Sequence, residues 1–208
     1  MHEQILIVAV AGGSGSGKTS VVRETTARLE AKACVLDQDS YFLSNGDGTG
    51  NFDVPHAIDH DLLSAHIGQL KAGNAISKPR YSFATHQRVA GSDTLTPARV
   101  VVLEGIFAYW DKRVRAACDL RIFVDAASDL RFIRRLQRDL RERERSIDSI
   151  VSQYVETVRP MHEKYSRVMR EHADLVITND GVLEHSVSRV LDAINSMIAN
   201  HKSTAAAE

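Results

Sequence analysis

Residues 5–20 read ILIVAVAGGSGSGKTS, and this stretch decides the fold. Ile5 to Ala11 is a short, unbroken apolar run, rich in β-branched residues and closed by glycines, the pattern of a strand buried on both faces. Such strands belong to parallel sheets. Gly12 to Thr19 then satisfies G-x-x-x-x-G-K-[ST], with Gly12, Gly13, Ser14, Gly15, Ser16 and Gly17 leading into Lys18, Thr19 and Ser20. Glycines let successive backbone N–H groups close around phosphate oxygens, a lysine here reaches the β- and γ-phosphates, and the Thr19 hydroxyl can ligate Mg²⁺. The helix predicted after Gly17, with Val21, Val22, Thr25 and Leu29 on one face, adds its positive dipole end. Strand before and helix after is the context that turns this pattern into a nucleotide site.

Outward from that unit, similar apolar runs recur at Ala33–Leu36, Arg99–Leu103, Leu120–Val124 and Asp174–Thr178. Helical spacing follows at Ile58–Ala72, Ser128–Arg141, Ile147–Val158 and Val182–Ile198, and Pro160 is expected to break the helical course. The alternation predicts an α/β fold, about five parallel strands flanked by helices. Two regions interrupt it. Asn45–Gly50 is a glycine-rich loop, and Ile76–Thr96, polar with scattered aromatics, reads as a β-hairpin or lid. With 208 residues, one domain over residues 1–200 is expected, with an insertion at about 40–96, an arginine-rich lid at about 128–146 and a frayed tail from His201.

Composition narrows the function. Lys+Arg at 26 against Asp+Glu at 27 leaves a net charge of −1, so no global field favours nucleic acid or a membrane as partner. Cys34 and Cys118 are too far apart for a C-x-x-C motif, and a cytoplasmic setting is expected. Glu3 is the only formally charged side chain before the first apolar run, which argues against an export signal, and the run is too short to span a bilayer. No N-K-x-D motif, the mark of a guanine site, occurs. A compact phosphate-loop protein with an extra polar lid is expected to be a small-molecule kinase using ATP and Mg²⁺.

Asp37 and Asp39 close the second strand, where a carboxylate can take an acceptor's proton or hold Mg²⁺ through water. Glu104 ends VVVLEG beside the expected phosphate loop, a metal-site position, and Gly105 allows close backbone approach. On a helix, Arg131, Arg134, Arg135 and Arg138 share one side and Leu130, Ile133, Leu136 and Leu140 the other. The apolar stripe is expected to pack, and the arginines to clamp phosphates. RNA binding is the weaker use of those arginines, since no aromatic platform accompanies them. His56 and His60, four apart, lack a third well-spaced ligand for zinc. Tyr81, Phe83, His86 and Arg88 cluster on the lid and suit either a flat polar ligand or a small aromatic core of the hairpin itself.

In order, GGSGSGKTS (12–20), QDSYF (38–42), NFDVP (51–55), PRYSFATHQR (79–88), VVLEGI (101–106) and residues 121–165, which include SQYVETVRPMHEKY, resemble the uridine kinase branch of the phosphoribulokinase and uridine kinase family. The resemblance runs from about Ile5 to Ile177. It implies a P-loop kinase core, an ATP:nucleoside 5′-phosphotransferase, Mg²⁺ dependence and commonly a homotetramer. It also implies that Asp39 is the base at the ribose 5′-hydroxyl and that Asp53 holds the ribose hydroxyls. Tyr81, Phe83 and His86 would then line the pyrimidine pocket, Arg135 and Arg138 belong to the phosphate lid, Arg145 and Gln153 reach the nucleoside, and Glu104 sits at the metal. The chain departs from the family pattern at Ser82, where aspartate is usual, at Glu144, where glycine is usual, and in NFDVPHAID (51–59), which stands for NFDHPDAFD. A kinase of the same family with a sugar-phosphate or pantothenate-like acceptor, and a non-catalytic ATP-binding regulator, are the alternatives. The retained Tyr81, Phe83, His86 and Gln153 argue against the first, and intact Lys18 and Asp39 against the second.

Overall fold

The apolar runs become strands β1 (Leu6–Ala11), β2 (Ala33–Asp37), β5 (Val100–Gly105), β6 (Leu120–Asp125) and β7 (Leu175–Thr178), while β3 (Ile76–Ser82) and β4 (Gln87–Leu95) form a separate antiparallel hairpin. The structure, a computed structural model, describes residues 4–205 except 45, 47, 49 and 144. Among the described residues the main sheet has five parallel strands in the order β2-β5-β1-β6-β7. Every residue of β1 and β5 is buried, which is why these strands read as continuous apolar runs rather than alternating ones. Register pairs Ala11 with Gly105 and Asp37 with Glu104, so the carboxyl ends of the central strands finish along one edge. In open parallel sheets that edge is where ligands bind.

Side-chain alternation splits the core between the two faces. Ile7, Ala9, Leu36, Leu103 and Phe123 pack with Leu63 and Ile67 of α2 (His60–Lys71) and Val114 of α3 (Lys112–Ala117). Val8, Val10, Val102 and Ile122 pack on the other face with Val21 and Val22 of α1 (Lys18–Leu29) and Val190 and Ile194 of the last helix. The remaining helices are α4 (Ser128–Glu142), α5 (Ile147–Gln153) and α6 (Leu183–Ala205). Among the described residues no helix is long and apolar enough to cross a membrane.

Two expectations are corrected. The arginine face of α4 points inward and its apolar stripe outward: Arg131, Arg135 and Asp139 are buried, while Ile133 and Leu140 are 45% and 39% exposed. The cause is position, because the inward face of α4 meets polar groups at the carboxyl edge of the sheet, Arg135 donating to Ser14 Oγ and Arg131 to the Ala126 carbonyl, rather than an apolar face. Secondly, Pro160 does not end the helical course. Wider π turns at Tyr154–Val158 and His162–Ser166 flank it, and the chain stays helical to His172. A proline costs an N–H and crowds the carbonyl four residues earlier, and widened turns are one way a helix accommodates that. The last helix, α6, runs to Ala205.

The Asp111 carboxylate caps α3, accepting from the backbone N–H groups of Arg113 at 2.7 Å and Val114 at 3.4 Å. Its hydrogen bond with the Arg113 guanidinium holds this carboxyl at about 2. Replacing Asp111 with Ala is expected to cost about 1 kcal/mol at neutral pH. Because the folded pKa lies below the unfolded one, that difference is complete above about pH 4 and shrinks as pH falls toward the folded value. Urea denaturation of both proteins at pH 7 and pH 3 checks the cost and its decline.

Candidate active site

At the edge where β1 ends, the chain turns through Gly15 and Gly17, at φ 81° and 86°, into α1. The helix starts with no side-chain cap on its first backbone N–H groups. Uncapped N–H donors at the positive end of a helix form an anion site. Gly13 lies so close beneath α4 and the π-turn segment that a Cβ there would stand 2.8 Å from Arg131 Nη1 and 2.7 Å from His162 Nδ1. Burial, reinforced by Arg131, holds the His162 imidazole at about 4, so this ring is neutral against the loop. Thr19 Oγ1 donates to Glu104 Oε1 at 2.8 Å, while Glu104 Oε2 is buried with no hydrogen-bond partner. Gly105 gives the approach expected of it: a Cβ there would meet Gln38 Oε1 at 2.3 Å, and that oxygen accepts the Phe107 N–H at 2.9 Å.

A cavity of about 720 Å³ opens from this loop. On one side stand Arg135, Arg138, Arg141, Arg143 and Arg145. What gathers four of them is Asp139, whose side chain is fully buried: Arg138 Nη2 lies at 2.7 Å, Arg145 Nη1 at 3.3 Å, and Arg135 and Arg143 each at 3.7 Å. Burial pushes the Asp139 carboxyl up, but Arg138, Arg135 and Arg143 outweigh it and hold the group below its ordinary value. Gln153 Oε1 accepts from Arg135 Nη2 at 2.8 Å and Arg145 Nη1 at 2.6 Å, and Arg135 Nη1 donates to Ser14 Oγ at 2.8 Å. Through that last bond the lid helix touches the phosphate loop directly. Clustered guanidiniums with one central carboxylate leave donors over for a polyanion.

The opposite wall is aromatic. Phe52 and the His86 ring stack at 4.9 Å, Tyr81 meets Phe42 at 5.5 Å and Phe83 at 5.4 Å, and the Arg143 guanidinium sits 4.8 Å above the Phe83 ring. His86 holds a left-handed φ of 54°, a conformation non-glycine residues seldom adopt and often adopt at working sites. Tyr81 Oη is buried without a hydrogen-bond partner, and burial, then the nearby Asp39, pushes its phenol to about 12. Between the two walls lie Asp39 and Asp53. Burial raises the Asp39 carboxyl against the pull of Lys18, with Glu104 and Asp37 adding to the rise. Asp53 is likewise raised by burial, against Arg135 and Arg138.

Ser14, Lys18, Asp39, Asp53, Tyr81, Phe83, His86, Arg135, Arg138, Arg145 and Gln153 therefore share one cavity, while Thr19 and Glu104 are outside its lining and pair with each other next to Lys18 and Gly105. Asp37 is outside its lining and instead pairs with Lys78. Ser82 also turns away, its hydroxyl accepting the Thr85 N–H at 3.3 Å within the hairpin turn, and Glu144 lies outside the described residues. Among the contributors that sequence reasoning missed are Phe42, Phe52, Arg141, Arg143, Asp139 and His162. Phe42 and Phe52 stand inside the motifs QDSYF and NFDVP, so the signal was present. Asp139 reads as one more acid on a charged helix, and His162 gives no sequence sign that it reaches Gly13.

The sequence pattern of the phosphoribulokinase/uridine kinase family matches residues 7–184. A protein named uridine kinase from Deinococcus deserti is 40% identical over 204 residues, covering 95% of this chain and 99% of that one. A protein of the same name from Chloroflexus aggregans is 38% identical, covering 92% of this chain and 97% of its own. The crystal structure of phosphoribulokinase from Rhodobacter spheroides superposes with a TM-score of 0.61 at 14% identity, over 85% of this chain and 71% of that chain, and shows the shared fold alone. A phosphate loop under an arginine lid, on a parallel sheet with this match along nearly its whole length, makes the chain a member of the phosphoribulokinase/uridine kinase family of kinases.

Proposed function

We propose that this chain transfers the γ-phosphoryl group of ATP to the 5′-hydroxyl of uridine or cytidine. The observation that carries this reading is the single cavity in which Ser14 and Lys18 of the phosphate loop share walls with Asp39, Asp53, Tyr81, Phe83 and His86. The relatives named uridine kinase support the choice of acceptor. ATP lies with its phosphates against the loop N–H groups and Lys18. Asp39 takes the proton of the 5′-hydroxyl as that oxygen bonds to the γ-phosphorus, the bond from phosphorus to the bridging oxygen breaks, and ADP leaves with the electron pair. Arg135 and Arg138 stabilise the charge spread over the transferring group, while Arg145 and Gln153 bound the nucleoside side. One carboxylate, Asp53, accepts from both ribose hydroxyls, and the Tyr81, Phe83 and His86 rings receive the flat base.

Family membership implies Mg²⁺, and the residues present fit it: the unpartnered Glu104 Oε2 and the Thr19 hydroxyl are hard oxygen donors beside the loop. These two would hold the ion, which when bound neutralises charge on the β- and γ-phosphates. We place the reaction in the cytoplasm, in keeping with two free cysteines.

Lys18→Ala is expected to leave a folded protein with activity lowered about 10²- to 10³-fold or more. Asp39→Asn should lower kcat by about 10²- to 10⁴-fold with ATP KM little changed. In the wild type, kcat/KM falls on acidification through a pKa above the ordinary carboxylate value of about 3.9, and that limb disappears in the Asn variant. Initial rates of ADP release across pH, with melting curves alongside, check all three statements.

Acceptor identity is decided by kcat/KM for uridine, cytidine, deoxyuridine and a sugar phosphate. Uridine and cytidine are expected to turn over, and deoxyuridine to lose up to about 10⁴-fold because Asp53 is left without one of its partners. Clear turnover of the sugar phosphate with neither ribonucleoside would overturn the assignment. For assembly we propose the homotetramer implied by the sequence resemblance, with exposed Ile133, Leu140, Ile147, Val151 and Val155 as apolar surface for a neighbouring copy. Sedimentation velocity should then give about four times the 23.0 kDa chain mass, and a 23.0 kDa species at micromolar concentration would refute it.

A further inference from the structure

Asp37 is the last residue of β2, beside Glu104 of β5 and two residues before Asp39. It stands outside the cavity's lining and accepts instead from Lys78 Nζ and Ser40 Oγ. Lys78 belongs to β3 and its side chain is 17% exposed. One residue beyond it the hairpin register shifts between Pro79 and Arg80, and then comes Tyr81 of the aromatic wall. The hairpin has little of its own to hold it: of β3 only Ile76 is buried, and of β4 nothing is. Two strands without a core of their own are marginal. Beyond Ile76 in the core and Tyr81 and Leu95 packed against it, charged contacts add to the hairpin's attachment. Arg88, on β4, donates to the Phe42 carbonyl at 3.0 Å, the Tyr41 carbonyl at 3.1 Å and Asp59 Oδ2 at 3.1 Å. Lys78 supplies the corresponding tie on β3, and it ties to the strand end that continues directly into Asp39.

We propose that Lys78 is a positioning residue for the acceptor: its ion pair with Asp37 pins the root of the hairpin, and so the aromatic wall, to the segment that carries Asp39. Asp37 and Glu104 end neighbouring strands and Asp39 follows two residues past Asp37, a grouping of carboxyls in which like charges repel, and the Lys78 ammonium is the cation that draws Asp37 away from the cavity and onto the hairpin. A wall and a base held in one frame keep the acceptor hydroxyl aimed, and displacement by about 1 Å at such a site can cost on the order of 10²-fold. The acceptor's identity in this inference rests on the nucleoside kinase reading above; the pin itself does not.

The test uses the full chain and four proteins, wild type, Lys78→Met, Lys78→Arg and the double variant Asp37→Asn with Lys78→Met. Lys78→Met should raise uridine KM about tenfold, with ATP KM within about twofold of wild type, and Lys78→Arg should restore most of the loss; coupling of this size is ordinary for residues in contact. The double variant should be no worse than Lys78→Met alone. Hydrogen exchange of the backbone amides in residues 76–82, measured without any substrate, should speed up about tenfold in Lys78→Met while amides of β1 and β5 are unchanged. If wild type turns over no ribonucleoside, the nucleoside reading fails and the exchange measurement alone decides the pin. Unchanged uridine KM where uridine is turned over, unchanged exchange at 76–82, or a double variant whose losses multiply would overturn the proposal. So would a loss that falls equally on both substrates and on melting temperature.

Discussion

The first backbone N–H groups of α1 have no side-chain partner, and the rest of the structure is arranged around that positive terminus. An uncapped helix start is costly if buried dry and favourable when it faces an anion. The sheet register places it: β1 enters the loop at Ala11, opposite Gly105, so the helix start, Glu104 and the end of β2 are brought to one edge. Glu104, and Asp39 two residues past β2, stand in this neighbourhood because β5 ends beside β1 and β2 beside β5, while α1 carries Thr19 there and α4 brings Arg135 onto Ser14.

Gathering several guanidiniums beside one another is unfavourable unless a counter-charge is supplied. Asp139 supplies it inside the protein, with Arg135, Arg138, Arg143 and Arg145 around it. One carboxylate cannot satisfy so many donors, and the surplus is directed toward Ser14, Gln153 and the cavity. The cluster is thus both held in place and left electropositive, a combination suited to a site that takes up and releases a polyphosphate. Facing the arginines inward leaves Ile133 and Leu140 on the outside of α4, so the exposed apolar stripe and the charged interior are two consequences of one helix orientation.

The aromatic side of the cavity follows another logic. Its wall is a two-stranded hairpin, marginal on its own, that gains definition from aromatic contacts with Phe42 and Phe52 and from charged ties at Lys78 and Arg88. A phosphate loop is rigid because the sheet and α1 enclose it; a hairpin fixed by a few contacts can differ in shape while the loop stays constant. That division explains how one ATP-binding frame serves a family of kinases whose acceptors differ.

Much of this was legible in the residues. Apolar runs near Ile5, Ala33, Arg99, Leu120 and Asp174 specify buried parallel strands because a strand covered on both faces has no polar side to alternate with. The phosphate loop is local, its chemistry carried by eight consecutive residues, so Gly12 to Thr19 announce it without any tertiary information. Resemblance brought the separated residues Asp39, Asp53, Tyr81, His86, Arg135 and Gln153 into one list, and the fold brings them to one cavity. What the residues alone left undecided is which face of α4 turns inward. An amphipathic helix states only that its faces differ, and the partner surface, here the polar edge that carries Ser14, chooses between them. What surrounds Asp37 and Asp39 is a question of the same kind: residue type and spacing do not distinguish two carboxylates two residues apart, and only the hairpin, folding back to bring Lys78 to Asp37, leaves Asp39 alone of the two in the cavity lining.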